Sequence, residues 1–336
     1  MQTLLVQDKI KSQHIDNIAK NLAEQHRQLL PAANEKWLSH LQTFIQTTQP
    51  THYQDLIPLL QQRYQAGFVR AYPNNDMDIM QELAFFMTEL EQYHAFHLSA
   101  RLLNNYLEQH GNYSGLKVLR FFQFYWAMQH FNHPQLAQHY QQPNLSPPSL
   151  MITVGVSGSG KSTITEKLLE HLGAVRLRSD VERKRLFNLD PLDRCADNSG
   201  LYDSQTSQIV FRGLEGLAKT ILQAGFPVII DATFLKREHR TPFKRLANQL
   251  KVPFLILHCQ AQLETLHKRI MIRQQTNHDP SDATIEIMQR QLASRQTLNQ
   301  NEQIFTVNIN TEDDNLDMLD LAKQIQQLAK VQYSNK

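Results

Sequence analysis

Apolar residues recur at two different periods along the chain, and the change falls near residue 150. In the first part they follow helical spacing, as in Ile15, Ile18 and Leu22 after a candidate cap at Ser12. The same spacing predicts helices over residues 34–47, 52–66, 78–90 and 94–108. Over 115–131 the residues Leu116, Val118, Leu119, Phe121, Phe122, Phe124, Tyr125, Trp126 and Met128 surround most of a helix, which predicts a buried one. Only Gly67, Gly111 and Gly115 of the 11 glycines precede residue 150, so this part has few glycine turns. An all-helical N-terminal domain over residues 1–140 is expected.

The stretch 141–149, Gln-Gln-Pro-Asn-Leu-Ser-Pro-Pro-Ser, reads as a linker, because proline favours extended chain and donates no backbone hydrogen bond. Beyond it, short apolar runs at 150–154, 174–177, 227–230, 253–258 and 304–309 alternate with amphipathic helical stretches. One of these carries Val210, Leu214, Leu217 and Ile221 on a face, and the last carries Met318, Leu321, Ile325 and Leu328. Such alternation predicts an α/β domain over 150–336, a parallel sheet with helices on both faces.

Composition narrows the function classes. The 336 residues, 41% of them hydrophobic, suffice for two cores, and no apolar run approaches the length of a membrane span. The N-terminus lacks the order of a secretory signal, and Cys195 and Cys259 alone make neither a disulfide framework nor a zinc site. A cytoplasmic protein with no membrane partner is therefore expected. A net charge of +2 gives no strong field, so nucleic acid is an unlikely partner. The His94/His97 and His130/His133 pairs have no supporting carboxylate motif for metal, and Cys259 ends an apolar strand as a core residue would.

The run Gly155-Val-Ser157-Gly158-Ser159-Gly160-Lys161-Ser162-Thr163 fits the phosphate-loop pattern G-x4-G-K-[ST] without deviation. Its glycines let consecutive amides turn toward a phosphate chain, and Lys161 adds a charge for the outer phosphates. The Ser162 hydroxyl suits a magnesium position at the start of a helix whose positive end adds attraction. Asp231 ends a buried strand at the sheet edge where open α/β sheets bind ligands. There it would hold Mg²⁺, the alternative being a cap of the next helix. Asp180, where another strand gives way to a helix, would be the base that accepts an attacking hydroxyl's proton, or an N-cap. Arg183 shares its face, and the basic cluster Arg176–Arg185 favours a polar or anionic acceptor unless it is a solvated face. Arg269 and Arg273, four apart, would neutralise charge on a moving phosphate or else lie on the surface. The following polar segment 276–282 suits a lid.

These motifs carry a resemblance. Residues 150–300 resemble P-loop kinase-like domains grouped with zeta toxins and the kinase part of polynucleotide kinases. The resemblance rests on Gly155–Thr163, the spacing of Asp180 and Arg183, the run Asp231-Ala-Thr-Phe234 and the pair Arg269/Arg273. It implies a five-stranded parallel sheet of order 2-3-1-4-5, an arginine lid, ATP and Mg²⁺. The whole chain is similar to bacterial proteins that join an aminoglycoside-phosphotransferase-like part to such an ATP-binding domain, through 174–186, 225–234, 78–91 and 113–122 as well. That family's His-Gly-Asp catalytic loop and small lobe have no counterpart here, where 67–76 runs straight into a helix. The resemblance then implies that residues 1–140 are a helical remnant. Two functions are expected: an ATP-dependent phosphotransferase acting on an unidentified acceptor, or an ATP-driven switch whose helical part engages a partner. Acceptor specificity is expected in 187–205 and the lid.

Overall fold

The computed structural model describes residues 10–48, 53–73, 75–142, 148–193, 203–276 and 280–334. Of the predicted linker, 143–147 lie outside the described residues, as do 194–202 of the expected specificity segment, 277–279 of the lid, and Cys195. The chain forms two compact units that divide between residues 145 and 146.

The first unit is helical, with helices Ser12–Gln28, Lys36–Thr48, Ile57–Gln65, Ile79–Glu91, Phe96–His110, Leu116–Gln129 and Pro134–Gln141. Lys11, not Ser12, occupies the cap position of the first. The Leu116–Gln129 helix is buried around most of its circumference, as its composition requires, and packs against Ile79–Glu91 and Pro134–Gln141. One departure from an all-helical unit is a short antiparallel pair, β1 (Val69–Arg70) with β2 (Met77–Asp78). Too short to show a period of two, it could not be read from the sequence. Asp78 explains its position: its carboxylate takes both Arg63 Nε (2.7 Å) and Nη2 (2.8 Å), and it caps the next helix by accepting from Met80 N.

In the second unit β3 (Leu150–Val154), β4 (Val175–Arg178), β5 (Val228–Asp231), β6 (Phe254–Gln260) and β7 (Thr306–Asn310) form one parallel sheet. Its order is β4-β5-β3-β6-β7, the expected 2-3-1-4-5. Strands buried on both faces need cover on both. Helices Lys161–Leu172 and Met318–Ser334 pack Leu168, Leu321 and Ile325 on the face that carries Met151, Ile229, Leu255 and Ile309. Helices Ser204–Gln223 and Arg237–Gln249 also lie on the sheet, with Leu214, Ile221, Phe243 and Leu246 buried. Residue-by-residue alternation thus sends adjacent side chains such as Met151 and Ile152 to opposite layers, both fully covered. The two central strands β3 and β5 end together. Thr153 Oγ1 donates to Ala232 O (2.6 Å) and accepts from Ala232 N (3.0 Å), which aligns the loop after β3 with the end of β5. No helix among the described residues is long and apolar enough to cross a membrane.

Candidate active site

The loop after β3 turns by backbone conformations that favour glycine. Gly158 and Gly160 lie at φ 83° and 80°, and a Cβ on Gly158 would meet Leu266 O at 2.9 Å. The Lys161–Leu172 helix follows, presenting its first amides to the same space. A cavity of about 1130 Å³ opens over these amides. It is lined by Ser157, Gly158, Gly160, Lys161, Ser162 and Thr163 from the loop, and by Asp180, Arg183, Asp231, Arg269 and Arg273. Gly155 and Ser159 stand behind the surface: Ser159 is buried, and Gly155 N donates to Thr233 O at 3.2 Å.

Lys161 is almost wholly enclosed and its Nζ donates to Val156 O at 2.9 Å. Burial pulls its pKa below the ordinary 10.5, while the Asp231 carboxylate works in the opposite direction. Anionic phosphate placed against the ammonium would raise that pKa again. The complex would then hold the proton more tightly than the empty protein. Polyphosphate affinity is therefore expected to fall as pH rises through the lowered Lys161 value, and binding there to take up a proton. Calorimetry from neutral to strongly alkaline pH, in buffers of different ionisation enthalpy, checks this. A flat profile with no proton uptake would exclude it.

Asp231 is buried at the end of β5, where register sets it beside Arg178 of β4, with Nε at 3.8 Å from Oδ2. It also accepts from Thr165 Oγ1 (3.5 Å), on the helix that begins with Lys161. It caps no helix: the next one begins at Arg237 with Lys236 at its cap. Asp180 is no cap either, since its helix, Ser179–Leu186, has Arg178 at that position. It lies in the first turn and faces the cavity.

The basic cluster is neither a solvated face nor an open anion platform. Arg176 is buried and donates to Ser162 O (3.2 Å), tying the edge strand to the phosphate-loop helix. Arg183 donates to Ser207 Oγ (3.4 Å). Lys184 has no exposed side-chain surface. Its Nζ donates to Pro191 O (3.1 Å) and Asp193 O (2.6 Å) and lies 3.5 Å from Asp282. Arg185 pairs with Glu182. Arg269 is held as well: Nη1 and Nη2 donate to Thr311 Oγ1 (2.8 Å) and Thr311 O (2.7 Å), and Nη1 reaches Gly158 O at 3.4 Å. It therefore braces the phosphate loop against the segment after β7. Arg273 donates to Ala283 O (3.2 Å).

Among the described residues, seven lysines and arginines line the cavity against five aspartates, a basic excess that favours an anionic ligand. Several lining residues escaped the sequence reading. Thr311 and Asp313 follow β7 at the same sheet edge as the other loops, so their position was the available signal. Phe211 and His239 stack face to face at 4.3 Å and line the cavity, and burial keeps His239 below the usual histidine pKa. Gln291 comes from the helix Ile285–Ser294, and no motif marks it. Cys259 is buried in the core and its thiol is pushed up to about 12 by burial, which makes it unreactive.

Residues 150–298 match the family model described as an AAA domain, and the second unit has a P-loop fold built on a five-stranded parallel sheet. An uncharacterized protein of Mycobacterium tuberculosis (strain H37Rv) is 30% identical over 161 residues. The match takes in 47% of this chain and 31% of that protein, so the chain spans about a third of the length of the curated relatives it matches. Among solved structures, a gluconokinase from Sinorhizobium meliloti is 18% identical (TM-score 0.38), over 57% of this chain and 99% of that one. The Mycobacterium tuberculosis APS kinase is 17% identical (TM-score 0.39), over 55% and 99%.

Proposed function

We propose that the second unit is an ATP- and Mg²⁺-dependent phosphotransferase acting on a hydroxyl of a polar or anionic small molecule. The observation that carries this reading is one cavity in which a phosphate-binding loop, the carboxylates of Asp231 and Asp180, and Arg183, Arg269 and Arg273 converge. Its volume accommodates a nucleoside triphosphate together with a small acceptor.

The amides of Gly158 and Gly160–Thr163, with Lys161, would hold the phosphate chain. The donor set fits magnesium: the Ser162 hydroxyl and the Asp231 carboxylate are hard oxygen ligands on one cavity wall. Mg²⁺ typically takes only one or two protein ligands, completed by phosphates and water. Bound there, the ion would neutralise charge on the outer phosphates. Asp180 would accept the proton of the attacking hydroxyl, and Arg183 and Arg273 would offset charge on the phosphate in transfer, with Arg269 supporting the loop that grips it. The Phe211–His239 stack and Ser207 line the same cavity as Asp180. They support an acceptor that offers both an apolar face and hydroxyls.

The test is labelled ATP with Mg²⁺ and a panel of sugars, other polyols and nucleosides. Asp180→Asn is expected to lose about 10²–10⁴-fold in transfer while ATP–Mg²⁺ still raises its melting temperature. Full transfer by that variant would overturn the base assignment. Slow hydrolysis without transfer to any acceptor would favour the switch. The likeness of residues 78–91 and 113–122 to aminoglycoside-phosphotransferase-like proteins supports reading the first unit as a helical remnant without transfer chemistry of its own. In keeping with that, the buried Asp78 carboxylate is committed to Arg63 and to its helix cap.

A further inference from the structure

One peptide unit of the phosphate loop is held at both polar ends. Its carbonyl, Val156 O, accepts from Lys161 Nζ at 2.9 Å, and its amide, Ser157 N, donates to Gln291 Oε1 at 2.7 Å. Gln291 does not reach the loop by chance of a surface rotamer. Its helix, Ile285–Ser294, starts with Thr284 accepting from Ile287 N (3.4 Å), and its fully buried Met288 packs in a cluster with Val156, Leu266 and Ile270. Met288 and Gln291 are three residues apart and share a helix face. The apolar contact with Val156 therefore seats the helix on the loop and delivers the carboxamide to the neighbouring amide.

The place of that amide on the loop matters. The amides of Gly160–Thr163, at the helix start, suit the inner phosphates. Ser157 N is at the other end, in the same peptide unit as the carbonyl that holds the lysine of the outer phosphates. A carboxamide oxygen is a neutral acceptor that can take the same amide hydrogen as a phosphate oxygen. Resting on the nucleotide-binding reading above, we infer that Gln291 is a terminal-phosphate gate. Its oxygen occupies the Ser157 amide until a triphosphate displaces it, whereas a diphosphate leaves it in place. Displacement would also release the helix that carries Met288, so that the presence of a terminal phosphate is felt in the segment over the cavity.

The experiment is calorimetric titration of the full chain with ADP–Mg²⁺ and with a non-hydrolysable ATP analogue and Mg²⁺, for wild type, Gln291→Leu and Gln291→Glu. Leucine cannot hold the amide, so the triphosphate analogue should bind roughly two- to tenfold more tightly, the worth of one net hydrogen bond. ADP affinity should stay within about twofold on the same scale. Glutamate holds the amide more strongly and repels the terminal phosphate. Triphosphate affinity should then fall by about tenfold or more, and ADP affinity by much less. An unchanged ratio of triphosphate to diphosphate affinity in both variants would overturn the gate. So would weaker triphosphate binding in Gln291→Leu, which would make the side chain a phosphate ligand. Because the two variants are read independently, poor folding of one leaves the other decisive. Wild type that takes up neither nucleotide overturns the nucleotide reading itself, and that outcome is seen before any variant is made.

Discussion

Lys161→Ala is expected to lose triphosphate binding while remaining folded. The ammonium is enclosed at the centre of the loop and has a single backbone acceptor, Val156 O, where a phosphate chain would supply several. Removing one partner of a buried, hydrogen-bonded charge pair costs about 2–5 kcal/mol of binding, a fall of roughly 30- to several-thousandfold in affinity. The empty protein should tolerate the change, because the substitution also removes the desolvation cost of burying a cation. The check is thermal unfolding with and without ATP–Mg²⁺. Wild type should be stabilised in proportion to ligand concentration and Lys161→Ala should not, with similar melting temperatures in the empty state. Equal stabilisation of both proteins would remove the basis for reading this loop as a phosphate grip.

The second large effect concerns support at a distance from the cavity floor. Arg240 is buried, donating from Nε to Glu302 Oε1 (2.7 Å), from Nη2 to Glu302 Oε2 (3.1 Å) and from Nη1 to Phe234 O (2.9 Å). Glu302 also closes a capping box with Asn299 at the start of the short helix Gln300–Gln303. Glu302→Ala leaves the guanidinium enclosed with one acceptor and should cost about 3–5 kcal/mol of stability. For a domain of this size that lowers the melting temperature by about 6–20 °C. Phe234 sits at φ 46°, in the turn that follows Asp231, and Arg240 holds its carbonyl. Nucleotide-dependent stabilisation should therefore weaken along with stability. Replacing both members, Arg240→Met with Glu302→Leu, should recover most of the stability, because no charge is then left buried. Urea unfolding of the three proteins checks this. A loss below about 1 kcal/mol in Glu302→Ala would mean that water reaches Arg240 and replaces the carboxylate.

Much of this architecture was legible in the chain before folding. All five parallel strands fall within two residues of the apolar runs that predict them. The central β3 and β5 are almost continuously apolar because they are covered on both faces, whereas β7 alternates buried Val307 and Ile309 with exposed Asn308 and Asn310. The helix at 116–129 was legible for a similar reason, its side chains being apolar nearly all round. β1 and β2 were invisible, since two-residue strands show no period and are positioned by the distant Arg63–Asp78 pair. The phosphate loop could be read because its function needs particular residues at fixed local spacing. Gln291 could not be read: it lies 134 positions from its partner Ser157 and belongs to no local pattern.

Local order in the chain alone determined where strands, helices and the glycine turn fall, and which carboxylates end strands. These depend on backbone sterics and on periodicities that span only a few residues. What the charged groups do was set by long-range packing. It gave Arg176, Lys184 and Arg269 internal acceptors, set Arg178 beside Asp231 through strand register, and brought a glutamine onto the loop. A charge or an amide finds its partner through space, and that pairing depends on which distant segments the packed core brings within about 3 Å.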